Sequence, residues 1–108
     1  MRNTIAITVY FFTISFSIAS TSFYQEALQS FERDEFELSI KYLEKNIVFN
    51  PKSSESYILL GKSYSALENS DKAEKYYKIA YTLIPENIEL NFLLGEVSYK
   101  LGHIEEYA

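Results

Sequence analysis

Between Ser56 and Pro85 the apolar positions fall on two helical faces. Tyr57, Leu60, Gly61 and Tyr64 stand at i, i+3, i+4 and i+7, and Ala73, Tyr76, Tyr77, Ala80, Leu83 and Ile84 continue the pattern. The spacing predicts two amphipathic helices joined by the short polar link Glu68-Asn69-Ser70-Asp71. Gly61 lies in the middle of the first. A glycine inside a helix costs about 1 kcal/mol relative to alanine, so its presence predicts a close approach there, with Gly61 facing Ala73 and its neighbours. Tyr57, Leu60, Tyr64, Tyr77 and Leu83 would fill the space around that seam.

The N-terminus has a different pattern. The run from Ile5 to Ile18 carries no charge, follows Arg2 and ends in the small residues Ser17 and Ala19, the three parts of an export signal with cleavage after Ala19. The run falls short of the roughly 20 residues that a spanning helix needs. Retention as a membrane anchor is the alternative. A lipidated end is excluded because the chain has no cysteine.

The helical pattern repeats. Pro51 and Pro85 each close a stretch of the form K-Y-[LY]-x-K-x-[IY]-x-x-x-P, and the interval between them is also the interval between Gly61 and Gly95, in "LLGKSYSAL" and "LLGEVSYKL". That interval is the 34-residue period of the tetratricopeptide repeat, whose signature is W-x2-L-G-x2-Y…A-x3-F…P. Tyr57, Leu60, Gly61, Tyr64, Ala73, Tyr77, Ala80 and Pro85 resemble it in type and spacing, with tyrosine in place of the tryptophan. The resemblance covers residues 54–87 as a full repeat, 20–53 as a weaker one and 88–108 as a partial one. In the first, Ala27, Ser30, Ser39 and Asn46 replace Gly61, Tyr64, Ala73 and Ala80; packing there is expected to be looser, and Asn46 to need a hydrogen-bond partner. In the third, Ser98 and Tyr107 are the departures.

The resemblance implies an all-α fold: a short right-handed superhelical solenoid of antiparallel helix pairs, about two and a half repeats long, in a domain spanning residues 20–108. It also implies a concave groove lined by the first helix of each repeat, with Tyr24, Leu28 and Phe31, then Ile58, Lys62 and Ser65, then Phe92, Glu96 and Tyr99. Only Lys62 could meet a carboxylate, so an apolar or helical segment is the expected ligand, not an acidic tail. Because a repeat cannot bury its own apolar face, Ile104, Tyr107 and part of the face bearing Leu94 and Val97 are expected to want cover. A longer array, self-association through the C-terminal end, or a partner would supply it.

Composition and charge then narrow the function classes. The 108 residues are 47% hydrophobic and 17% aromatic, with three Gly, two Pro and no Cys, which fits one folded helical domain. The whole chain carries 10 basic and 15 acidic residues. Without Arg2, the portion after the signal has 9 − 15 = −6, which disfavours nucleic acid. Glu32, Asp34, Glu35 and Glu37 read as a solvated face. His103, the single histidine, falls in an inter-helix turn without a nucleophile spaced around it. "GKS" at Gly61–Ser63 is not a phosphate loop, because its upstream glycine is Ser56 and the residues between are core-patterned helix. No metal cluster or acid/base pair emerges. The expectation is an exported, non-enzymatic protein-interaction module without a cofactor. A membrane-tethered assembly factor, or a recruiting piece of a larger enzyme, are the alternatives.

Overall fold

A computed structural model describes residues 23–103. The proposed signal, Ile104 and Tyr107 lie outside them. Five helices and no strand are found among the described residues: α1 (23–32), α2 (Phe36–Phe49), α3 (Ser54–Ala66), α4 (Ser70–Leu83) and α5 (Ile88–Leu101). Successive helices pack on one another from α2 to α5, and Ser39 Oγ in α2 donates to the Ala27 carbonyl of α1 at 2.8 Å. The fold is the expected all-α solenoid of helix pairs, two and a half pairs long.

The turns explain how the chain keeps its period. After α1, α3 and α5 the backbone passes through a left-handed residue at Asp34 (φ 61°), Glu68 (φ 61°) and Gly102 (φ 80°), each one full period from the last. The next amide then donates five positions back: Glu35 to Ser30, Asn69 to Tyr64 and His103 to Ser98, at 2.8, 2.9 and 2.7 Å. This closes the orphan carbonyls of each helix end in the same way three times. Three helix starts, those of α3, α4 and α5, are capped in kind. Ser53, Asn69 and Asn87 side chains accept from the amides of Ser56, Lys72 and Leu90, satisfying donors that would otherwise lack a partner. The link between α3 and α4 is shorter than expected: Ser70 and Asp71 already belong to α4, because Asn69 takes the capping role.

At the seam between α3 and α4 the atoms nearest to Gly61 belong to Tyr77, one turn along the helix from Ala73. A Cβ built on Gly61 would collide with the Tyr77 ring, whose Cε1, Cδ1 and Cζ are its nearest neighbours. Tyr77 is 1% exposed and Leu60, Ala73 and Ala80 are fully buried beside it. On the flank, Tyr64 and Tyr76 stack at 5.6 Å between centroids, and Tyr57 lies 6.4 Å from Tyr76. Leu83 departs from expectation. It is exposed, and Ile84, half-buried against the core, takes its place. Pro51 and Pro85 follow α2 and α4 as exposed turn residues, where a missing amide hydrogen does no harm.

The junctions between pairs differ in chemistry. At α2–α3, Asn46 Nδ2 donates to Ser56 Oγ at 2.7 Å, and Ser56 shares a hydrogen bond with Ser53 Oγ at 2.8 Å. The buried amide thus has the partner it is expected to need. At α4–α5 the equivalent positions, one period on, are Ala80 and Leu90, both fully buried. Leu94 and Val97 themselves, on the face of which part is expected to want cover, are 1% and 2% exposed, and α5 packs on α4. Gly95 is the exposed residue of that helix turn, and nothing among the described atoms lies within 4 Å of where its Cβ would be.

Candidate functional site

Three helices that never follow one another directly in the chain meet at one hollow. Tyr24 and Leu28 of α1, Ile58 and Lys62 of α3, and Glu89 of α5 line a pocket of about 170 Å³ together with Glu55 and Leu59. For residues of α1 and α5 to reach the same pocket, the surface formed by α1, α3 and α5 must be concave. Four of the expected groove residues are therefore brought together. Phe92, Glu96 and Tyr99 lie further along, with Gly95 and Lys100, around a more open depression of about 490 Å³. Phe92 is 68% and Tyr99 72% exposed.

The other two expected groove residues, Phe31 and Ser65, are not among the residues lining these two hollows. Phe31 turns toward the α1–α2 turn, where it packs edge-on against Phe36 with centroids 5.3 Å apart.

The pocket is more acidic than the expected set. Lys62, the one candidate for binding a carboxylate, is held by Glu89 at 2.5 Å across the junction between α3 and α5. Glu55, in the first turn of α3, accepts from Ser53 Oγ at 3.2 Å. Burial pushes the Tyr24 phenol above its ordinary value, and the negative charges of Glu55 and Glu89 push it the same way. Sequence reasoning passes over Glu55 and Glu89 because an acid in the first turn of a helix has a sufficient reason to be there, the helix dipole. Their shared position, one period apart and just after the start of each helix, is the signal that could have found them.

A second polar cluster closes the α4–α5 junction. Glu74 is 8% exposed. Ser98 Oγ donates to its Oε2 at 3.3 Å, His103 Nδ1 faces the same oxygen at 3.1 Å, and Lys78 Nζ lies 3.5 Å from Oε1. The turn position of His103 is as expected, yet its ring is engaged and not simply solvated. Serine, histidine and carboxylate are assembled here without the geometry of nucleophilic catalysis. The serine and the imidazole both bond to the carboxylate, and a nucleophile needs its base to be the imidazole. The cluster fastens helices.

Burial alone would raise the Glu74 carboxyl, but the His103 hydrogen bond and the Lys78 charge outweigh it and hold the group below the usual carboxylate range. A depressed folded value means stability that is present above the unfolded value and lost as pH falls through the folded one. The wild-type chain is therefore expected to exceed Glu74→Gln in stability by about 1 kcal/mol at neutral pH. That difference should start to fall near the ordinary glutamate value of about 4.3 and disappear only once the pH has dropped below the depressed folded value, as read from urea melts across a pH series.

Among the described residues no group of three or more His, Cys, Asp or Glu could hold a metal, and no helix is long and apolar enough to cross a membrane.

Comparison with known proteins places this geometry. Residues 54–87 match the family model described as tetratricopeptide repeat. No curated protein matches the chain. Among solved structures, "Crystal structure of MamA" superposes with a TM-score of 0.77 at 24% identity, covering 82% of this chain and 52% of that one. "MamA RS-1 ArsTM double mutant" gives a TM-score of 0.78 at 22% identity, covering 82% and 49%. "MamA 41-end from Desulfovibrio magneticus RS-1" gives 0.73 at 22%, covering 79% and 48%. The chain thus spans about half the length of these solved structures, and the likeness is one of fold.

Proposed function

We propose, on the premise that residues 54–87 are a tetratricopeptide repeat, that the chain is a non-catalytic scaffold whose concave face binds a segment of another protein. The helix pairs at 20–53 and 54–87 and the partial unit at 88–108 stack as one array in this reading. Residues 1–19 direct it out of the cytoplasm, so that the binding module works in an extracytoplasmic space. The observation that carries the reading is the pocket shared by α1, α3 and α5, continued by the exposed rings of Phe92 and Tyr99. Folded proteins keep large exposed apolar groups together mainly where something docks. The pairing of Lys62 with Glu89 supports an apolar or helical ligand over an acidic tail, since the one cation of the pocket is already answered.

Phe92→Ala is the test. The ring is mostly exposed, so its loss is expected to change stability by less than about 0.5 kcal/mol, while weakening partner capture by roughly tenfold or more. Lys62→Glu is the companion variant in affinity capture and chemical-denaturation measurements. Unchanged partner recovery with both would count against the groove.

A further inference from the structure

We infer that the pocket between α1, α3 and α5 receives a lysine or arginine side chain from the bound segment, so that the partner is a basic, apolar stretch of protein. The inference rests on the scaffold reading and specifies its ligand. Its first support is the shape of the hollow. The walls are Leu28, Ile58 and the Tyr24 ring, and the volume is about 170 Å³, room for one long side chain and not for a folded element. An alkyl stem lying on apolar walls with its charged head at a polar rim is the arrangement lysine and arginine adopt when half-buried.

Charge is the second support. Glu55 and Glu89, both exposed, line the hollow together with Lys62, and Glu96 follows along α5 beside Phe92, Tyr99 and Lys100. Within the pocket two carboxylates stand against one ammonium, which is already bonded to Glu89; along the depression Glu96 is matched by Lys100, so the two hollows together keep an excess of one negative charge. Glu55 has only a serine hydroxyl as partner among the described residues. An entering cation can meet Glu55 directly and share Glu89, while neighbouring apolar residues of the segment lie on Phe92 and Tyr99. An acidic segment would face the two carboxylates of the pocket, a discrimination of the kind that sets partner choice at interfaces.

The test is selection of random peptides displayed on phage against the whole chain, in parallel with Glu55→Gln and Glu89→Gln, circular dichroism confirming that the variants fold. The expected result is enrichment of peptides that combine Lys or Arg with large apolar residues. A selected peptide should bind Glu55→Gln about two- to fivefold more weakly, the equivalent of one exposed ion pair, and should weaken as salt rises. Enrichment of apolar or acidic peptides without basic residues, bound equally by Glu55→Gln, would overturn the cation assignment and leave the scaffold reading standing. A selection yielding no peptide that depends on the pocket, judged with Ile58→Glu, would overturn both.

Discussion

Leucine in place of Gly61 is expected to remove more than about 3 kcal/mol of stability, beyond the usual range for an over-filled core. Even the first carbon of the new side chain would overlap the Tyr77 ring. That ring is 1% exposed, so it has no solvent to move into, and relief requires α3 and α4 to part. For a domain of this size each kcal/mol lowers the melting temperature by about 4–8 °C, so thermal circular dichroism would show a fall well beyond about 10 °C or a loss of the transition. Gly95→Leu is the internal comparison. It occupies the same position of the period, yet nothing described lies within 4 Å, and helix propensity alone predicts a gain of about 0.5–1 kcal/mol. Equal responses at the two sites would refute the close approach.

Truncating the ring from the other side is expected to be as severe. Tyr77→Ala deletes the largest of the fully buried side chains and leaves Leu60, Ala73 and Ala80 facing a void, a change worth about 3–5 kcal/mol for aromatic residues. Urea denaturation should show a lower midpoint with an unchanged slope. The two sites are coupled: Gly61→Ala, harmful alone, should become neutral or stabilising once Tyr77→Ala has emptied the space. Additive free energies in this double-mutant cycle would show that the ring and the glycine do not meet.

The helical seams are legible in the sequence because apolar spacing and the repeat interval both point to them. Gly61 announces a close approach by being in the wrong place for a helix, although the atoms that come nearest belong to the aromatic Tyr77, one turn from the small Ala73. Spacing says which residues share a face but not which of them reaches furthest across it. The turns are half legible. Gly102 is an ordinary signal for a left-handed residue and Asp34 a weaker one, whereas Glu68 adopts the same conformation with a side chain that announces nothing. Glu74 follows Ala73 like any solvent-facing charge, and only the packing of α5 over α4, carrying Ser98 and His103, turns it inward. The first helices of the repeats are enough to bring Tyr24, Leu28, Ile58 and Lys62 together. Glu55 and Glu89, which give the pocket its sign, are hidden behind their other duty at helix starts.

The two junctions carry opposite keys. Asn46 meets Ser56 where the first pair joins the second, and their counterparts Ala80 and Leu90 are greasy; Ile40 and Tyr64 are apolar where the counterparts Glu74 and Ser98 exchange a hydrogen bond. A unit lifted from one place and inserted in the other would set an amide against a leucine or a carboxylate against a tyrosine ring, at about 1–3 kcal/mol for each stranded group. The units are alike in backbone but cannot trade places, so the order of the array, and with it the order in which its docking residues are presented, is written into the joints.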